Sequence, residues 1–185
     1  MGTVVFVGLA FCALLAPGVV RPLQAEANGE KNPPLEARAD GLKVTLGVVE
    51  DVVLAPWGIS FPARIDTGAD LSSLDARDIV VRQDTAEFRL GAGYGYRRLQ
   101  LPVVEWGRVQ TSMGIEKRPV VAISICIGSK LLRTHVTLKD RSGMAYPFLV
   151  GRSALKGTFL VDPSRSRATQ PNCPSGAVVA DLTPH

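Results

Sequence analysis

Arg118-Pro119-Val120-Val121-Ala122-Ile123-Ser124-Ile125-Cys126-Ile127-Gly128 decides the fold class. Ala122, Ser124 and Cys126 alternate with Ile123, Ile125 and Ile127, the period of a strand with one buried face. Gly128-Ser129-Lys130 reads as a turn and Leu131 to Leu138 as the returning strand, so the pair predicts a β-hairpin. Further along, Tyr146 to Val150 is a short apolar strand ending at Gly151. Ser153 to Lys156 predicts one helical turn, and Phe159-Leu160-Val161 follows it. Towards the amino terminus, Val44 to Leu54 is rich in Val and Leu and reads as one strand ending at Ala55-Pro56. Phe61 to Asp66 is a second strand, and Arg77 to Val81 and Ala86 to Leu90 are further pieces. Gly91 to Gly95 is a glycine-rich loop. Many short strands with few helices predict an all-β closed barrel or sandwich.

The ends differ from this middle. Val4 to Leu15 carries no charge, and Ala25 is a small residue placed just before Glu26. Residues 1–25 therefore read as a secretory signal cleaved near Ala25, with export to the periplasm as the expectation. The alternative is an uncleaved inner-membrane anchor, although the apolar stretch is shorter than the ~20 residues a span needs. Residues 26–41 are a polar, Pro-containing linker, 42–166 the folded domain and 167–185 a flexible tail. An oxidising compartment permits a disulfide between Cys126 and Cys173; two unrelated thiols are the alternative.

Composition excludes several classes. Lys and Arg number 21 against 17 Asp and Glu, and the positive residues are scattered rather than gathered into a phosphate-tracking stripe, so no nucleic-acid partner is expected. The two histidines, His135 and His185, lie in no metal-ligand spacing, and no Cys-x-x-Cys pair occurs. No phosphate-cradling glycine loop is present, since Gly128-Ser129-Lys130 lacks the upstream glycine and the final hydroxyl. No cofactor and no metal are expected.

What remains is Ile65-Asp66-Thr67-Gly68-Ala69, at the passage from a strand to a loop. A carboxylate at an apolar strand end is costly unless it is hydrogen-bonded or shares a proton. Thr67 offers a hydroxyl, and Gly68 allows close backbone approach and brings amides near the carboxylate. Downstream, Phe148-Leu149-Val150-Gly151-Arg152 places apolar residues before Gly-Arg and a helical turn at Ala154-Leu155.

An Asp-Thr-Gly loop paired with an apolar-apolar-Gly segment resembles the retropepsin-like aspartic peptidases. Within them the chain is similar to the bacterial family labelled "ATP-dependent zinc protease", associated with ATP-grasp glutamate ligases of the RimK kind. The resemblance spans about Val44 to Ser166. It rests on Ala63 to Ala69, Leu71 to Ala76, Glu116 to Val121, Thr137 to Ser142, Met144 to Leu155 and Phe159 to Ser166. Met113-Gly114 departs from an expected Asn-Gly hairpin tip. Asp75 stands where many relatives have His, which weighs further against zinc.

The resemblance implies an acid-protease closed barrel, one lobe per chain, with one short helix near the carboxyl end. It implies an endopeptidase in which Asp66, Thr67 and Gly68 are catalytic and two chains pair so that two Asp66 carboxylates share a proton. Ala69, Asp70, Gly151 and Arg152 are expected to bind substrate or support the loop, with Arg152 forking onto Asp70. A flap is expected between Val103–Val109 and Arg118–Ile125, with its tip at Ser112, Met113 and Gly114. The substrate is a peptide or protein, and the association suggests glutamate-rich or ligase-made amide bonds and a functional link to an ATP-grasp ligase. Two rivals stand beside this: a non-catalytic peptide-binding or regulatory β-domain, and a zinc peptidase as the family label says.

Overall fold

In β1 (Val44–Leu46) and β2 (Val49–Ala55) a single apolar run is broken in two. The computed structural model describes residues 2, 43–55, 57–173 and 180–181. The signal and linker readings fall on residues outside these, apart from Gly2. By pattern 44–54 reads as one strand; the break at Gly47-Val48 corrects this. A Cβ on Gly47 would stand 2.6 Å from the Arg165 carbonyl oxygen, so only glycine lets the returning chain pass here. β1 then pairs in parallel with β11 (Phe159–Val161), while β2 enters the main sheet.

The remaining elements are β3 (Ile59–Ile65), β4 (Ser72–Asp75), β5 (Arg77–Arg82), β6 (Thr85–Arg89), β7 (Arg98–Thr111), β8 (Gly114–Ile127), β9 (Lys130–Lys139), β10 (Phe148–Val150), α1 (Arg152–Leu155) and β12 (Ala180–Asp181). The glycine-rich loop holds one turn of 3-10 helix at Ala92–Tyr94. Hydrogen-bonded pairing runs β9–β4–β10–β3–β2–β8, and β8 pairs with β9 again. The ring of pairings therefore closes, as expected of a small barrel. β7, β6 and β5 continue outward from β8 as an antiparallel arm.

The barrel is filled by Leu54, Phe61, Leu74, Ile123, Ile125, Leu132 and Phe148, each no more than 2% exposed. Burying such a side chain contributes roughly 1.5–3 kcal/mol. In β8 the isoleucine face is the buried one, as its alternation predicts. Cys126 is buried too, because it is disulfide-bonded to Cys173 with Cα atoms 6.0 Å apart. β4 carries almost no apolar signal, and its pattern alone predicts no strand. It becomes a fully buried strand because β9 and β10 flank it on both edges.

The expected tail is tied down as far as Cys173, which corrects its start at 167. The agent is Glu50, whose side chain is fully buried with no cation paired to it among the described residues. Its carboxylate accepts the amides of Gly47 (2.5 Å), Ala168 (2.9 Å) and Thr169 (3.0 Å) and the Thr169 hydroxyl (2.9 Å). Those donors offset the desolvation of the charge and strap residues 165–169 across β2. Arg167 N also donates to Val49 O, and Asn172 N to Gly128 O.

Candidate active site

Asp66 is the first residue past β3, and its amide donates to Val150 O at 3.0 Å. β10 lies parallel to β3, with Val150 opposite Ile65, so the carboxylate is launched from the barrel wall at a fixed point. The chain then turns at Thr67-Gly68. The amides of Gly68 (2.8 Å) and Ala69 (3.2 Å) both donate to Asp66 Oδ1. Two amides on one oxygen hold the carboxylate in place. Asp66 is half-buried, and Thr67 and Gly68 are exposed.

Gly151 packs beneath this loop. A Cβ there would lie 2.5 Å from the Leu71 carbonyl oxygen and 2.9 Å from that of Asp70. The strand after the loop thus passes through space that any other residue would fill. The Gly151 amide donates to Ser72 Oγ at 3.2 Å. At the start of α1, Arg152 N donates to Ala69 O (2.9 Å) and Ser153 N to Asp70 O (3.0 Å). Helix amides that would otherwise lack partners are thereby satisfied by the loop.

The Arg152 side chain does something other than the fork that was expected. Its Nη1 donates to the carbonyls of Thr67 (3.1 Å) and Gly68 (2.9 Å), and only Nη2 reaches Asp70, at 3.3 Å. The two side chains are 52% and 79% exposed, so the ion pair contributes little in water. Arg152 holds the turn through backbone carbonyls instead. Ser112, Met113 and Gly114 form the tip of the β7–β8 hairpin, with Gly114 at φ 119° and Met113 97% exposed.

Beneath that tip lies a cavity of about 500 Å³, lined by Ser112, Met113, Ile115, Arg118, Lys139 and Arg141 among others. Arg118, Lys139 and Glu116 also line an adjoining cavity of about 410 Å³ that contains Trp106. Register explains the gathering: Val120 faces Thr137 across β8 and β9, which brings Arg118 and Lys139 to one edge. Glu116 Oε2 accepts Arg118 Nη2 and Lys139 Nζ, both at 2.7 Å. Hydrogen bonds from Arg118 first and Lys139 second hold its carboxyl at about 2, well below the usual range.

Arg141 is half-buried, and burial first and the Arg118 cation second push its pKa down; the Asp75 and Asp66 carboxylates act the other way. Arg141 thus feels both the cation cluster and the candidate catalytic acid. It is positioned by Asp75, which is 4% exposed and accepts the Arg141 amide at 2.6 Å. The same carboxylate takes Arg77 in two bonds, at 2.9 and 2.8 Å. Glu116, Arg118, Lys139 and Arg141 had no role assigned from sequence, although all lie in segments that carry the family resemblance. Their signal was the basic content of two separate strand ends, and it has meaning only once those ends meet.

The zinc of the family label does not fit these residues. Among the described residues no group of three or more His, Cys, Asp or Glu is placed to hold a metal ion. Asp75 is committed to Arg77 and Arg141. His135 Nδ1 lies 3.2 Å from Glu105 Oε1, with no third ligand gathered beside them among the described residues.

Comparison with known proteins places the chain in a family. The family described as RimB-like, retropepsin-like aspartic endopeptidase RimB, matches residues 45–172. A probable alpha-L-glutamate ligase of Shewanella halifaxensis is 35% identical over 134 residues, 67% of this chain and 29% of that protein. One from Parasynechococcus marenigrum is 34% identical over the same shares. The chain thus spans under a third of the length of these curated relatives. A crystal structure of a Legionella pneumophila protein of unknown function superposes with TM-score 0.60 at 29% identity. It covers 70% of this chain and 100% of that one.

Proposed function

Because the chain belongs to the RimB-like family of retropepsin-like aspartic endopeptidases, we propose that it hydrolyses peptide bonds as a homodimer, with Asp66 from each copy. The observation that carries the reading is the Asp66 carboxylate, held on one oxygen by the Gly68 and Ala69 amides at the mouth of the barrel. The chain has a single Asp-Thr-Gly, so a dyad needs a second copy. Two carboxylates a few ångströms apart cannot both ionise readily and hold one proton between them. The ionised partner takes a proton from a water, which attacks the scissile carbonyl carbon. The protonated partner donates a hydrogen bond to the carbonyl oxygen as charge develops there. Proton transfer to the amide nitrogen then releases the amine product. The face that meets the second copy is the one bearing exposed Thr67 and a cavity of about 880 Å³, beside which Leu160 is 53% exposed.

The substrate in this reading is glutamate-rich or carries ligase-made glutamyl amides. Two observations support it. The curated relatives are named as probable glutamate ligases, and this chain matches 29% of their length. The cleft beneath the hairpin tip sets Arg118, Lys139 and Arg141 against one carboxylate, Glu116. A surplus of positive charge in a partly desolvated cleft favours an acidic side chain. A functional link to an ATP-grasp ligase follows as part of the same proposal, as does export, with which the Cys126–Cys173 disulfide is compatible.

The test is cleavage of a diverse peptide library that includes oligoglutamate tails, by wild type and Asp66→Asn, with and without a chelator. Loss of cleavage in Asp66→Asn and indifference to the chelator are expected. Specific activity should rise with protein concentration as dimer forms. A wild-type protein that binds peptides but cleaves none returns the chain to the non-catalytic reading.

A further inference from the structure

The cation cluster beneath the hairpin tip is incompletely matched. Arg118 is 8% exposed, and its Nε has no hydrogen-bond partner among the described residues. A guanidinium set this deep is costly unless acceptors surround it. The acceptor it does have is the same Glu116 oxygen that serves Lys139. Glu116 stands in β8 just past the tip, and its side chain is 40% exposed, so this carboxylate can leave without unpacking the core. Of the pair, Arg118 is the buried partner and Glu116 the exposed one.

We propose that Glu116 is an internal ligand of the substrate-reading site, placed on Arg118 and Lys139 where an acidic side chain of the substrate docks and displaces it. This rests on the acidic-substrate reading above. Displacement exchanges one carboxylate for another, so the buried cation is never left bare. A neutral side chain offers no charge to replace Glu116 and is rejected by the competition. The Glu116–Lys139 bond also ties the hairpin arm to β9, so an acidic substrate frees the tip as it binds. Glu116 is in this view a specificity-determining residue that works by occupying the site.

The experiment compares Asp66→Asn with Asp66→Asn/Glu116→Gln by calorimetric titration at low salt, using tri-L-glutamate and tri-L-glutamine as probes. Removing the competing charge should tighten tri-L-glutamate binding about three- to tenfold. The Glu116→Gln side chain keeps a carbonyl oxygen for Arg118, so the fold is retained, and circular dichroism checks this. If the single variant binds tri-L-glutamate and the double variant binds it no more tightly, Glu116 merely supports Arg118 and the inference is overturned while the substrate reading stands. If neither variant prefers tri-L-glutamate to tri-L-glutamine, the acidic-substrate reading fails and the inference falls with it.

Discussion

Replacing Gly151 by Ala adds one methyl group at the point where the Asp66 loop crosses α1. The new Cβ would stand 2.5 Å from the Leu71 carbonyl oxygen and 2.6 Å from its carbon, where ordinary contact begins near 3.4 Å. The backbone of residues 70–71 would have to retreat by about 1 Å, because a main-chain atom has no rotamer to change. It has little room to do so. Ser73 is registered against Leu149 on one side and Thr137 on the other, and its own strand is buried. Overpacking of this kind costs about 1–3 kcal/mol. Stretching the bonds from Arg152 N to Ala69 O and from Ser153 N to Asp70 O adds about 1 kcal/mol each. Gly151→Ala should therefore lower stability by about 3–5 kcal/mol. Backbone strain at position 151 itself does not contribute, since its φ of −90° suits any residue. Gly143→Ala is the control, because its Cβ meets nothing within 4 Å, and it should stay within about 0.5 kcal/mol of wild type. Urea unfolding at constant disulfide state measures both. Any Gly151→Ala protein that remains folded should cleave peptide roughly 100-fold more slowly, because the loop carrying Asp66 has moved. A Gly151→Ala midpoint indistinguishable from the control would refute the threading argument and the positioning of Asp66 built on it.

Glu50→Gln replaces a buried acceptor of four donors with a group that turns an amide NH2 towards some of them; a loss of about 2–3 kcal/mol and release of residues 165–169 to proteolysis are expected. An unchanged urea midpoint would show that the strap is held by something else. Reducing the Cys126–Cys173 bridge, which spans 47 residues of sequence, should cost up to about 4 kcal/mol by chain entropy, read as a fall in Tm with reductant; no fall would mean that the strap alone closes that loop. Glu116, held at about 2, is a depressed carboxyl, so its contribution is present above its ordinary value and is lost as pH falls towards 2. Glu116→Gln should accordingly flatten the acid limb of the stability–pH curve below about pH 4.5, modestly because the group is partly exposed; an acid limb as steep as in wild type argues against the pairing. Intact mass from the native host should place the amino terminus near Glu26, and a full-length soluble cytosolic form would sink the export proposal.

The residue pattern alone is enough for the all-β class, the hairpin at β8 and β9, and the joint occurrence of Asp66-Thr67-Gly68 with Gly151-Arg152. These are local statements: a two-residue period, a turn, and short motifs whose chemistry is set by adjacent residues. The rest depends on contacts between distant parts of the chain. β4 is a strand because β9 and β10 hold it, and no property of Ser-Ser-Leu-Asp says so. Val44 to Leu54 breaks in two because the chain returns past Gly47 more than a hundred residues later, an approach that pattern cannot register. The tail is docked because a buried carboxylate, Glu50, needed donors, and the strap supplied them. Arg152 gives Asp70 one bond instead of a fork and gives its other terminal nitrogen to the carbonyls of Thr67 and Gly68, since an exposed ion pair is weak in water and the two carbonyls lay within reach. The cation cluster was invisible for the same reason. Arg118, Lys139 and Arg141 are ordinary surface letters until β8 folds against β9, and only then does their shared field, with Glu116 inside it, become a site.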